Sequence, residues 1–198
     1  MILRPLAVIC SAALGLGVPA ALAAPKKPPA AATPSLVASF NDWGVYVGAV
    51  GKGKLCYLLN QPKVAADAKR DKVYAFISDR PAEGVRNEVS FIMGGEIAGQ
   101  PSADKGKPAP AADKKKPAAA IPAPTAIVGD ASFEMLPKGS DLWIKNPAQE
   151  PALIDAMRKG TVIAVKATLK KGGAVGDSYS LAGFNQAIDR LTKECGTK

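Results

Sequence analysis

Three cysteines, an absence of histidine and one loop crowded with charge are the chemically most constraining features of this 198-residue chain. Without histidine there is no Ser-His-Asp or Cys-His nucleophile and no imidazole general base. Ser102-Ala103-Asp104-Lys105 matches the Ser-x-x-Lys spacing of penicillin-binding enzymes. It lies in a low-complexity stretch that cannot hold a nucleophile in reactive geometry, so the match is read as chance. Glu83, Glu88, Glu96 and Glu134 could pair for glycoside hydrolysis, yet their spacing nominates no two of them. No P-loop and no Gly-x-Gly-x-x-Gly fingerprint occurs. The expectation is a protein that is not an enzyme, with no cofactor and no metal. A hydrolase using carboxylates on an envelope substrate is the alternative.

The cysteines acquire meaning from the amino terminus. Arg4 precedes an uncharged apolar run over residues 6–18, which is shorter than the roughly 20 residues a permanent span needs. The run leads to Ala21-Leu22-Ala23, with small residues where a signal peptidase reads them, so residues 1–23 are expected to be a signal peptide. A lipoprotein signal at Cys10 is disfavoured because Ala7-Val8-Ile9 lacks the small residue expected before it. The expected location is the periplasm or cell envelope, or beyond it as a secreted protein. Cys10 then leaves with the leader, and Cys56 and Cys195 remain in an oxidising compartment, where a lone pair is expected as a disulfide. Zinc needs about four ligands, which two thiols without histidine do not supply.

The formal charge of +9 needs dividing before it is assigned a partner. Lys26 and Lys27 lie in an Ala/Pro/Lys spacer over residues 24–34, and Lys105, Lys107, Lys114, Lys115 and Lys116 lie in a similar stretch over about 99–124. Neither stretch has the large apolar residues a packed core requires. Nucleic acid is not expected as a partner. The insertion lysines suit a solvated tether, or attraction to an anionic envelope polymer or membrane surface. One charged stretch lies in the folded part: Asp79-Arg80-Pro81-Ala82-Glu83-Gly84-Val85-Arg86-Asn87-Glu88. It reads either as a loop with internal ion pairs or as a recognition surface built from Arg80, Glu83, Arg86, Asn87 and Glu88, with Trp143 as an aromatic anchor.

The elements that must carry these residues are mainly strands. Residues 43–48 and 55–59 flank Gly51-Lys52-Gly53-Lys54 and predict a hairpin. Further strands are expected over 72–78, 87–93, 131–136, 141–145 and 161–169, the last with Ile163, Val165, Ala167 and Leu169 on its apolar face. About seven strands with intervening turns predict a sandwich or small barrel. A short helix is expected from Pro151 to a stop at Gly160. A second, capped by Ser180, gathers Leu181, Phe184, Ile188, Leu191 and Cys195 into one stripe. Residues 35–198 form a single domain interrupted by the insertion.

Several of these segments, taken in order, resemble the invasion-associated locus B family of exported bacterial proteins. The likeness rests on Phe40-Asn41-Asp42-Trp43-Gly44-Val45-Tyr46, on Arg80-Pro81 with Val85-Arg86-Asn87-Glu88-Val89-Ser90, and on Trp143-Ile144-Lys145-Asn146. Asp155-Ala156-Met157-Arg158-Lys159-Gly160 and Ser180-Leu181 leading to Cys195 complete it. The resemblance implies an immunoglobulin-like antiparallel β-sandwich of the periplasm or cell envelope, in a family whose founding member is associated with invasion of red blood cells. It brings no catalytic residues. The implied role is binding of an envelope or host protein, or of an envelope polymer; a structural envelope spacer is a further alternative.

Overall fold

Strict alternation of large apolar with small or polar residues dictates most of the architecture. In the computed structural model, which describes residues 33–63, 70–99 and 121–196, this alternation becomes ten antiparallel strands. They are β1 (Ser35–Phe40), β2 (Trp43–Val50), β3 (Gly53–Asn60), β4 (Val73–Arg80), β5 (Val85–Met93), β6 (Thr125–Val128), β7 (Ala131–Lys138), β8 (Asp141–Ile144), β9 (Val162–Leu169) and β10 (Gly173–Ser180). The expected signal peptide, nearly all of the spacer and most of the insertion, with its five lysines, lie outside the described residues. All described residues belong to one unit, Ala31–Lys198.

Neighbours run in the order β1-β2-β3-β4-β5-β8-β7-β6-β9-β10. The seventh strand in this order is β7, whose first half pairs with β6 and whose second half pairs with β8. One strand thereby serves two halves of the sheet, and their inner faces close on a common core. Trp43, Leu58, Ile77 and Phe91 come to it from one half, and Ile163, Val165 and Tyr179 from the other. The Phe91 and Tyr179 rings meet across it at 5.7 Å. The mainly β, antiparallel, sandwich-like fold expected from the sequence is therefore present, with its short helix and its C-terminal amphipathic helix.

The strand count is corrected from about seven to ten. β1 escapes the pattern because most of its residues are exposed on an edge. β6 has only four residues and directly follows the low-complexity stretch. β10 reads Gly-Ala-Val-Gly-Asp-Ser-Tyr-Ser, poor in β-formers, yet Val175, Asp177 and Tyr179 all turn inward.

Helix α1 (Glu150–Lys159) has Pro151 in its first turn, Arg158 and Lys159 in its last, and Gly160 after it, as proline geometry and the helix dipole favour. Leu153, Ile154 and Met157 are buried, whereas Ala156 is only partly so. Helix α2 (Phe184–Cys195) buries Phe184, Ala187, Ile188, Leu191 and Cys195. Phe184 meets the Trp43 indole edge-on at 5.1 Å.

The cap of α2 is a second correction. Ser180 ends β10, and its Oγ accepts a hydrogen bond from the Ala182 amide (3.2 Å) instead of capping the helix. Gly183 takes the cap position at φ 82°, where a β-carbon would also run into the Phe40 carbonyl oxygen. Leu181 is thus buried ahead of the helix and not within it.

The expected disulfide is present. Cys56 on β3 and Cys195 at the end of α2 are bonded with their Cα atoms 5.9 Å apart, closing a separation of 139 residues. In the chain-entropy account such a link contributes about 5 kcal/mol by restricting the unfolded chain, and about 2–4 kcal/mol is typical in practice. The last helix is tied covalently to the third strand.

Candidate functional site

The charged loop begins where β4 meets a short 3-10 turn, Pro81–Glu83, closed by Gly84 at φ 70°. Pairing between β4 and β5 slips here: Ser78 faces Glu88, but Arg80 faces Val85. This bulge accommodates Asn87 at φ 50°, a left-handed conformation asparagine tolerates better than most residues. It also turns Asp79 into the protein, where only 2% of the residue remains exposed.

Burying a carboxylate is costly unless it is paired and hydrogen-bonded. Asp79 Oδ1 accepts from the Asn87 amide at 2.7 Å, and Oδ2 accepts from Arg86 Nη1 at 3.2 Å. The same Arg86 nitrogen donates to the Cys195 carbonyl. A cation at the end of α2 suits the negative end of the helix dipole. Arg86 and Asn87 are consequently tied to Asp79 and the helix terminus.

Arg80 belongs to a different set. Its Nε donates to Glu83 Oε2 (2.7 Å), and its Nη1 donates to Glu88 Oε2 (2.8 Å) and to Ser78 Oγ (2.8 Å). The bonds to Glu88 and then Glu83 raise the already high pKa of the guanidinium. Two residues beyond Glu88, Ser90 faces Trp143 of β8, which in turn faces Leu136 of β7. Strand register therefore places Glu88 and Trp143 on one sheet face. Of the six residues singled out from sequence, Arg80, Glu83 and Glu88 form one ion-pair group with Trp143 further along that face. Arg86 and Asn87 are directed elsewhere.

The same face continues toward β2 as a row of aromatic rings that the sequence reading did not assign to a site. Tyr46 faces Tyr57 across the β2–β3 pair, with ring centroids 5.0 Å apart. Tyr57 stacks on Phe76 of β4 at 4.7 Å. Partial burial, followed by the neighbouring Tyr46, raises the Tyr57 phenol above its ordinary value. A signal did exist: Tyr46, Tyr57 and Phe76 lie out of phase with Val45, Cys56, Leu58, Ala75 and Ile77, all of which are buried. An aromatic residue at the polar phase of three adjacent strands marks an outer face that is not simply solvated.

The carboxylates considered for hydrolysis are occupied with cations. Glu134 pairs with Lys145 (2.5 Å), Glu96 pairs with Lys170, and Glu83 and Glu88 share Arg80. Beside the loop, a groove of about 380 Å³ is lined by Arg86, Asn87, Glu150, Asp155 and Arg158 among others. Glu150 accepts from the Val89 amide at 3.4 Å. Its carboxyl is raised by burial and, more weakly, by the charge of Glu88, against the lowering effect of that amide. Among the described residues no three His, Cys, Asp or Glu side chains are grouped to hold a metal ion.

No protein-family model, no curated protein and no solved structure matches the chain.

Proposed function

We propose that this protein is an exported, non-enzymatic component of the cell envelope, of the invasion-associated locus B type, that binds another protein or an envelope polymer through the outer face of its sheet. The reading rests on one observation. An aromatic row from Tyr46 through Tyr57 to Phe76 continues by strand register to Trp143, and both α-helices pack on the opposite, inner side of this half-sheet. Tyrosine, tryptophan and arginine are the side chains that most often anchor interfaces, and Arg80 stands at the edge of the row. The disulfide fits an oxidising compartment.

The hydrolase alternative has one observation in its favour, the presence of Glu150 and Asp155 in the groove beside Arg86 and Arg158. Crosslinking separates the two readings. A photo-crosslinking residue at Leu136, which is 52% exposed beside Trp143, should capture one stoichiometric envelope component in cells. The same residue at Lys171 should not. Recovery of monomer alone from position 136 would count against binding at this face, and loss of a wall-degrading activity in a Glu150→Gln variant would establish the enzyme.

A further inference from the structure

The aromatic row extends to a leucine at each end. Leu36 of the edge strand β1 faces Tyr46, while beyond Phe76 the register runs through Ser90 and Trp143 to Leu136 of β7. One outward residue from each of seven neighbouring strands thus forms an oblique stripe, stepping by one pair of positions where Tyr57 gives way to Phe76. None of the seven is charged. Leu36 is 55% exposed and Leu136 nearly as much, so the apolar surface continues to both margins of the sheet. A continuous apolar face of this kind marks an interaction site more often than a solvated surface.

Ring geometry decides what kind of partner this stripe suits. Tyr46 and Tyr57 are nearly parallel, at 7° and 5.0 Å, and Tyr57 and Phe76 lie at 26° and 4.7 Å. Rings lying flat and side by side cannot come so close, so these rings turn their faces to one another. Tyr57, on the middle strand of the three, has both faces taken. The stripe therefore offers ring edges to the outside, which suit another side-chain surface; a pyranose would need a free ring face. The charges around it are already matched, Arg80 with Glu83 and Glu88, and Lys145 with Glu134. A strongly charged partner gains nothing here.

We infer that the partner at this face is a second copy of the chain, packed sheet against sheet about a twofold axis that crosses the stripe at Phe76. Reversed end for end, the stripe matches itself. Leu36 of one copy meets Leu136 of the other, Tyr46 meets Trp143, and the edge of Tyr57 meets the small, buried Ser90. Phe76 meets its own counterpart. No pair contains a charge, so nothing in them opposes association. The size also fits. With strands about 4.8 Å apart and outward residues about 7 Å apart along each, the face measures roughly 30 by 17 Å, and two copies cover about 1,000 Å². That is the lower edge of specific interfaces, so the dimer dissociates on dilution. The inference rests on the outer-face binding reading and deepens it by making the other protein a copy of this one.

The test is sedimentation velocity of the exported, disulfide-bonded protein over a concentration series, which should show a monomer–dimer equilibrium. Leu36→Lys and Leu136→Glu each set a charge against apolar surface and should each weaken the dimer at least about tenfold. Both leucines are more than half exposed in the single chain, so neither change should disturb folding. With both changes in one chain, the introduced cation of each copy meets the introduced anion of the other, and most of the loss should be recovered. Val162→Lys, on an exposed position of β9 in the other half of the sandwich, should leave the equilibrium unchanged. Dimerisation unaffected by the single variants, or no recovery in the combined one, would overturn the inference. Monomer at every concentration would overturn it too. In that case, Leu136 crosslinking to a different protein would leave the outer-face reading standing, and no capture at all would remove both.

Discussion

Two pairs of arginine and aspartate sit in opposite surroundings, one joining residues 107 positions apart and the other residues seven apart. Arg70, just before β4, forks onto Asp177 of β10, with Nη1 to Oδ2 at 3.0 Å and Nη2 to Oδ1, while Nη1 also donates to the Met93 carbonyl at 2.8 Å. The two side chains are 6% and 0% exposed. Arg86 reaches Asp79 from a position that is 35% exposed, and shares its donor with the end of α2. The first pair is a buried charged tie between the two halves of the sandwich. The second lies beside a disulfide that already fastens the same helix. Similar residues thus do different work: one pair specifies how the halves meet, the other trims a junction that covalent chemistry has fixed.

The comparison breaks most visibly at Asp177. Replacing it with alanine strands a buried guanidinium, and the expected loss is about 3–5 kcal/mol in urea unfolding. A paired Arg70→Met, Asp177→Leu variant should lose much less, because the desolvation cost goes with the charges. Equal losses in the single and double variants would show that packing, and not the ion pair, carries the effect.

Reducing the disulfide probes the other junction. The Cys56→Ser, Cys195→Ser variant should lose about 2–4 kcal/mol, measured without reductant against the parent. In that background Arg86 shares the helix end with Lys54, which donates to the Glu194 carbonyl, so Arg86→Ala should cost more there than in the bonded protein. A cost that is the same in both would mean the two ties act independently.

Much of this scaffold was legible before the structure. β9 could be read from Ile163, Val165, Ala167 and Leu169, because periodicity is written locally, and the disulfide from the pairing expected of Cys56 and Cys195. β10 could not, since its inward residues include Asp177, which pairs with Arg70 from 107 positions away. Ser180 looked like a helix cap for the same reason: nothing local reveals that its carbonyl is claimed by Trp43 and Asn60. The site was half legible. The sequence concentrates charge between Asp79 and Glu88, but a bulge divides that charge between two directions, and the aromatic row exists only once three strands are in register.

Within the surface set, Arg86 and Arg80 should separate. Arg86→Ala removes charge-assisted bonds to a buried carboxylate and a helix-terminal carbonyl, for an expected loss of about 1–2 kcal/mol. Arg80→Ala removes bonds to two partly exposed glutamates and should cost less than about 1 kcal/mol. Thermal or urea unfolding at matched ionic strength measures both, and added salt should shrink the Arg80 effect further. Reversal of that order would mean the outer group, and not the buried Asp79, holds the loop.

The smallest expected effect belongs to Glu150, at the start of α1. Its carboxyl is raised above 4.5, first by burial and last by Glu88. A carboxyl whose pKa is higher folded than unfolded holds its proton more tightly in the native state. Its favourable contribution is therefore present below the unfolded pKa and is lost as pH rises through the folded one. Glu150→Gln should leave stability nearly unchanged in mild acid and become more stable than the parent, by less than about 1 kcal/mol, above that transition. Urea unfolding from pH 4 to pH 7 reads the difference. Arg80 enters again here, because it partly neutralises Glu88. Arg80→Ala should leave the Glu88 charge more exposed to Glu150 and move the Glu150 transition to higher pH, whereas Asp177→Asn, at the other junction, should leave it in place. A shift in the second variant and none in the first would show that the two charged regions are coupled through the core and not, as their separate partners indicate, insulated by it.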